Sequence, residues 1–229
     1  MESLIRYTPL LAQGALVTIA LAVLSLALAT LLGALGAAGR LGGGPAARGA
    51  VLAYTTLVRG VPDLVMLLLV YFGGQRLANR VAEALGAGPV DVSPFVAGVL
   101  AIGFIYGAYL TETFRGAYLA IPPGQADAGR ALGLHRPALL RTVIAPQLVR
   151  FALPGYVNVW QVLVKSTAVV SVIGLQDLVG LANDAGKTAR QPFVFFAAVL
   201  VVYLAITWVS GTVFERVGRR HGRGFAHAA

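Results

Sequence analysis

The 229 residues are 58% hydrophobic and 12% charged, with 28 glycines, more apolar material than the core of one water-soluble domain needs. Eighteen Lys and Arg against nine Asp and Glu give a net charge of +9, but the bases stand between long apolar runs, so membrane topology explains them better than nucleic acid does. The lack of cysteine excludes a disulfide framework, a thiol nucleophile and a thiolate-held metal.

Crossing about 30 Å of hydrocarbon takes about 20 residues of helix. Five segments qualify: 10–38, 49–72, 94–113, 151–174 and 193–214. The first is too long for the apolar region of a signal peptide, although Ala27-Leu28-Ala29 imitates a cleavage site, and no cleavage is expected. The second contains Arg59, Pro62 and Asp63 and is predicted to kink or unwind there. Lys165 lies within the fourth. No segment alternates like a strand, so the expected fold is an all-α integral membrane domain of five transmembrane helices that fills residues 1–229.

Lys and Arg are retained on the cytoplasmic side, which sets the orientation. With the N-terminus outside, most of the bases fall inside, from Arg40 through Arg115, Arg130 and Arg141 to Arg216 and Arg223, and the C-terminus is cytoplasmic. Arg6, Arg76, Arg80, Lys187 and Arg190 remain outside. The longest stretch between spans, 114–150, is then cytoplasmic. It predicts a short helix over 124–133 with Ala128, Ala131 and Leu132 on one face, and a second helix opened by Pro137. Gly103 and Gly107 leave a small-residue face on the third span that suits close helix contact.

An ionisable group at mid-bilayer costs about 2.5 to 3.5 kcal/mol on insertion scales, so each is a candidate functional residue. Asn158, Gln161 and Lys165 share one helical face of the fourth span, flanked by Ser166 and Thr167. Thr55, Arg59 and Asp63 share a face of the second span. Tyr106, Tyr109 and Thr113 do so on the third, with Glu112 beside Tyr109. Arg59 and Asp63, four residues apart, either neutralise each other or line a path. Lys165 has no acid on its own helix and needs Glu112, Asp63 or a partner chain. Glu112 beside Arg115 reads as a structural ion pair, whereas the uncharged amides Asn158 and Gln161 suit a pathway.

Enzyme readings fail on inventory. His135, His221 and His227 all lie in cytoplasmic segments, so neither an intramembrane Ser-His pair nor a metal site has its parts. Gly186-Lys187-Thr188 imitates the end of a phosphate loop, but Leu181 replaces the first glycine. The bases from Arg216 to Arg223 read as a topology anchor that faces anionic lipid.

Residues Gly124-Gln125-Ala126-Asp127-Ala128-Gly129-Arg130-Ala131-Leu132-Gly133, with Val143-Ile144-Ala145-Pro146 beyond, resemble the EAA loop of ABC importer permeases. Further likeness runs through Tyr54-Thr55-Thr56-Leu57-Val58-Arg59-Gly60-Val61-Pro62-Asp63-Leu64 and Gly107-Ala108-Tyr109-Leu110-Thr111-Glu112-Thr113-Phe114-Arg115-Gly116. With Asn158-Val159-Trp160-Gln161-Val162-Leu163-Val164-Lys165-Ser166-Thr167-Ala168 added, the chain is similar to the polar amino acid permeases, above all those for histidine, lysine, arginine and ornithine. Three positions depart from the family pattern: Asp127 for Glu, Gly129 for Ala and Ala145 for Leu.

The resemblance implies a type I ABC importer permease fold with cytoplasmic coupling helices, in the bacterial inner membrane with the N-terminus periplasmic. It also implies a similar or identical permease partner, two ATPase subunits that carry ATP and Mg, and a soluble solute-binding protein, with no cofactor, metal or nucleic acid on this chain. Gln125, Asp127, Ala128, Gly129, Arg130 and Gly133 are then the ATPase-coupling residues, Asp127 and Arg130 pairing across the contact. Arg59, Asp63, Tyr109, Glu112, Asn158, Gln161, Lys165 and Thr167 line the path of a polar, basic amino acid. The rival readings are an ion-coupled secondary carrier with Glu112 or Asp63 as the titrating relay, and a channel or assembly subunit without substrate specificity.

Overall fold

Proline marks where helices begin, since its missing N–H is an orphan in the first turn and its φ is already helical. Pro45, Pro94, Pro123, Pro137 and Pro192 each stand at or next to the first helical residue. The computed structural model describes residues 2–222, and every regular element among them is a helix. In chain order these are α1 (Glu2–Gly42), α2 (Pro45–Gly60), α3 (Asp63–Ala84), α4 (Pro94–Leu119), α5 (Pro123–Ala131) and α6 (Arg136–Leu139). A π turn (Leu140–Ile144), α7 (Ala145–Ser166), a 3-10 turn (Thr167–Ile173), α8 (Leu178–Thr188) and α9 (Pro192–Gly222) follow.

Four continuous helical runs are long and apolar enough to cross a membrane: Leu4–Gly42, Pro94–Leu119, Arg136–Ile173 and Pro192–Arg216. The α2/α3 pair, bent by 114°, makes a fifth when its two helices are taken as one broken span. Of the kink or unwinding expected there, the chain shows the unwinding. Val61, held extended (φ −107°, ψ 137°) by the following proline, stops α2, and Pro62 starts α3. α3 then runs to Ala84, well beyond the expected end at Phe72, because Gln75, Arg76, Asn79, Arg80 and Glu83 end the apolar run without ending the helix.

α4 is the central helix, with Ala101, Ile105, Tyr106, Ala108 and Leu110 all buried. Glycines set how closely its neighbours approach. A Cβ at Gly103 would lie 2.6 Å from Leu28, and one at Gly107 would lie 2.9 Å from Leu32; on α1, Gly33 and Gly36 meet Leu110 and Thr111 in the same way. These contacts rise in step along both chains, so α1 and α4 run parallel. α7 runs opposite to α4, since Gly155 meets Thr113 whereas Val170 meets Gly98. The small-residue face of the third span is thus in use. α9 turns Leu200, Leu204, Trp208 and Val209 outward, which suits contact with lipid.

α5 sits at the end of the bundle where α1 and α4 terminate, and α8 sits at the other. Residues 114–150 are mostly continuations of the spans: α4 extends to Leu119, and a helical run from Arg136 leads without interruption into α7. The second short helix expected after Pro137 is therefore the first turn of the fourth span. His135 caps it, its Nδ1 accepting from the Ala138 N–H at 3.3 Å. At the α8 end, the Gln75 amide donates to the Val90 carbonyl and accepts from the Val92 N–H at 2.8 Å, which pins the α3–α4 connection. Gly186-Lys187-Thr188 closes α8, a helix C-terminus with none of the N–H cradle of a phosphate loop. Arg223 and His227 lie outside the described residues.

Candidate functional site

The break between α2 and α3 leaves the last carbonyls of one helix and the first N–H groups of the next without helical partners, an arrangement tolerated in a membrane only against protein or a polar cavity. Asp63, the first residue of α3, sits at the favourable end of that helix dipole. Its Oδ2 accepts from the Tyr106 hydroxyl at 2.8 Å and from Ser166 Oγ at 3.1 Å. Tyr106 lies midway along α4, so this carboxylate is held near the centre of the bundle. Among the described residues no group donates to its other oxygen, and Asp63 is half-buried. Hydrogen bonds to a charged acceptor are worth about 1.5 to 3 kcal/mol each. Two of them roughly offset the insertion penalty of the charge.

Arg59 and Asp63 do not pair. They would share a face only on a continuous helix, and the 114° bend lies between them. The Arg59 guanidinium instead lies over the Tyr109 ring, 5.2 Å from its centroid. Tyr109 stacks on Tyr106 at 5.6 Å. The buried Tyr106 ring thus links the two charges: Asp63 accepts from its hydroxyl, and Arg59 lies over Tyr109, which stacks on it. Glu112 is paired with Arg115 at 2.8 Å, as its position beside that base suggested.

On α7, Lys165 is exposed and among the described residues makes no ion pair; with Gln161 it borders a cavity of about 500 Å³ against α9. Asn158 is exposed and Gln161 half-buried on the same side. Thr167 departs from the expected lining set. It is fully buried, donates to the Val164 carbonyl at 2.7 Å and contacts the Tyr203 hydroxyl at 3.1 Å, so it fixes the 3-10 turn and cannot touch a solute. Tyr203 gives no sequence signal, because one hydroxyl in an apolar run reads as core.

In α5 the expected packing face is exposed and Gly129 is the buried residue. A Cβ there would come within 2.4 Å of Leu139, so Gly129 seats α5 on the start of the fourth span and does not face outward. Gly133 closes α5 with φ +78°: its N–H bonds the Arg130 carbonyl, and the Leu134 N–H bonds that of Gly129, a Schellman ending. Room is not what demands this glycine, since no atom lies within 4 Å of its missing Cβ. Asp127 and Arg130 pair with each other at 2.7 Å, three residues apart and exposed. Gln125, Asp127, Ala128 and Arg130 form an open surface.

Residues 29–223 match the family described as binding-protein-dependent transport system inner membrane component. The chain belongs to this family. The permease is 46% identical over 222 residues to the histidine/lysine/arginine/ornithine transport system permease protein HisQ of Escherichia coli strain K12, covering 97% of each chain. It is 43% identical over 208 residues to the octopine transport system permease protein OccQ of Rhizobium radiobacter, covering 90% of this chain and 88% of the other. Its fold matches a crystal structure of an amino acid ABC transporter with histidines at a TM-score of 0.78 and 30% identity, over 95% of this chain and 97% of that one. The permease has the type I importer fold, and its relatives are ABC permease subunits, not ion-coupled carriers.

Proposed function

We propose that the permease is one half of the translocation path of an ATP-driven importer for polar, basic amino acids, delivered by a soluble binding protein. A similar or identical permease completes the path, and two ATPase subunits on the α5 side hold ATP and magnesium, neither of which this chain binds. The N-terminus faces the periplasm. The observation that carries the reading is the half-buried Asp63 carboxylate at the break, with one oxygen open and the Arg59 cation across two stacked tyrosines. Asp63 receives an ammonium or guanidinium of the solute, Arg59 or Lys165 holds its carboxylate, and Asn158 and Gln161 line the way. The exposed α5 surface of Gln125, Asp127, Ala128 and Arg130 docks on an ATPase and carries its closure to the spans.

The test is uptake by the assembled complex in proteoliposomes of labelled arginine, histidine, lysine, glutamine and glutamate. Basic amino acids should be preferred, and Asp63→Asn should lower their kcat/KM by about tenfold or more. Preference for glutamate overturns the substrate class. Unchanged kinetics in Asp63→Asn move the site elsewhere, and uptake driven by an ion gradient without ATPase ends the importer reading.

A further inference from the structure

Between the Asp63 group and the α5 end, α1, α2 and α4 border an open cavity of about 470 Å³. Its polar wall consists of Arg40, Thr55, Thr56, Arg59, Tyr109 and Glu112. The hydroxyl of Thr55 is already committed to the Leu52 carbonyl at 3.2 Å, and Glu112 to Arg115. Of the charged groups on this wall the two guanidiniums remain, and among the described residues neither Arg40 nor Arg59 has a carboxylate partner. The Nε of Arg40 is buried without any hydrogen-bond acceptor. The two guanidiniums give this cavity a cationic wall, and forked donors suit a planar anion.

Its place in the molecule narrows the choice. Arg59 lines the cavity and lies over Tyr109, whose ring stacks on the tyrosine that holds Asp63, so a solute leaving the carboxylate toward the α5 end meets this pair of cations next. A guanidinium or ammonium side chain would be repelled here, whereas an α-carboxylate would be bound. We infer that Arg40 and Arg59 form the subsite for the α-carboxylate of the transported amino acid, on the α5 side of Asp63. The inference rests on the importer reading. It makes Arg40, in the last turn of α1, a specificity-determining residue and not only a topology signal.

The experiment uses the complete complex, purified without its binding protein, with equilibrium binding of labelled arginine and competition by agmatine, which is arginine lacking the carboxylate. Unlabelled arginine should displace the label at least about tenfold better than agmatine, Arg40→Gln should weaken arginine binding by about tenfold, and Arg40→Lys should restore part of it. Equal competition by agmatine in the unaltered complex overturns the subsite even where Arg40→Gln fails to assemble. So does unaltered binding in Arg40→Gln, or displacement of arginine by inorganic phosphate or phosphatidylglycerol as well as by arginine itself, which would assign the cations to a phosphate. An unaltered complex that imports no amino acid sinks the importer reading instead.

Discussion

Asp63 and Asp177 are both shielded carboxylates, and their free oxygens differ. Asp63 keeps one oxygen open on a polar wall, whereas Asp177 is fully enclosed, with Oδ1 capping α8 through the Gly180 N–H at 2.8 Å and Oδ2 buried without a partner. Burial pushes the Asp177 carboxyl above its ordinary value, against the pull of the Gly180 and Val179 N–H groups. A raised carboxyl favours the folded α8 end when protonated, and that contribution fades as pH rises through the raised value. The melting temperature of the protein in detergent should therefore fall as pH rises above the ordinary carboxylate range, by more than that of Asp177→Asn. Asparagine keeps the cap without the charge, so equal slopes would remove Asp177 as the cause. At the other carboxylate, Tyr106→Phe deletes a hydrogen bond to a charged acceptor, worth about 1.5 to 3 kcal/mol, and should lower both stability and uptake. Normal uptake in that variant would mean that the position of Asp63 is held by Ser166 alone.

At the scale of elements, α5 depends on how it ends and on what it rests against. Gly133→Ala places a Cβ in a left-handed conformation that costs about 1 to 2 kcal/mol, in open space where no clash adds to it. The expected result is a modest loss of ATPase co-purification with normal membrane insertion. Gly129→Leu drives a side chain into Leu139 and should displace α5 outright, with complete loss of co-purification. Equal outcomes for the two would show that the ATPase does not read the seating of α5. The α1–α4 contact follows the same logic, since Gly103 and Gly107 admit leucines from α1 where any Cβ would collide. The partly hidden break in the second span follows from local chemistry too: Gly60, an extended Val61 and Pro62 end one helix and start another within three residues.

For the molecule as a whole, orientation is the property that topology fixes and packing does not. The protein has no cysteine, so single introduced cysteines report it cleanly. A cysteine at Ala128 should react with a membrane-impermeant thiol reagent only from the inside, and one at Ala87 only from the outside. The reverse pattern would place α5 away from any ATPase and end the coupling proposal.

Spans 10–38, 94–113 and 193–214, the turn into α5 and the EAA-like loop were all legible, because each depends on hydropathy, proline placement or a local motif within one turn of chain. The Glu112–Arg115 pair was legible for the same reason, three residues apart on one helix. Four features came only with tertiary structure: the severed Arg59–Asp63 stripe, the hydroxyl pair on Asp63, the withdrawal of Thr167 into the core and the inward turn of Gly129. Each involves groups on different helices, so helical periodicity could not place them. Sequence determined which segments enter the membrane because transfer free energy is a property of composition. Which polar atoms share a site was decided by the angle at Pro62 and by the distances at which glycines let the helices pack.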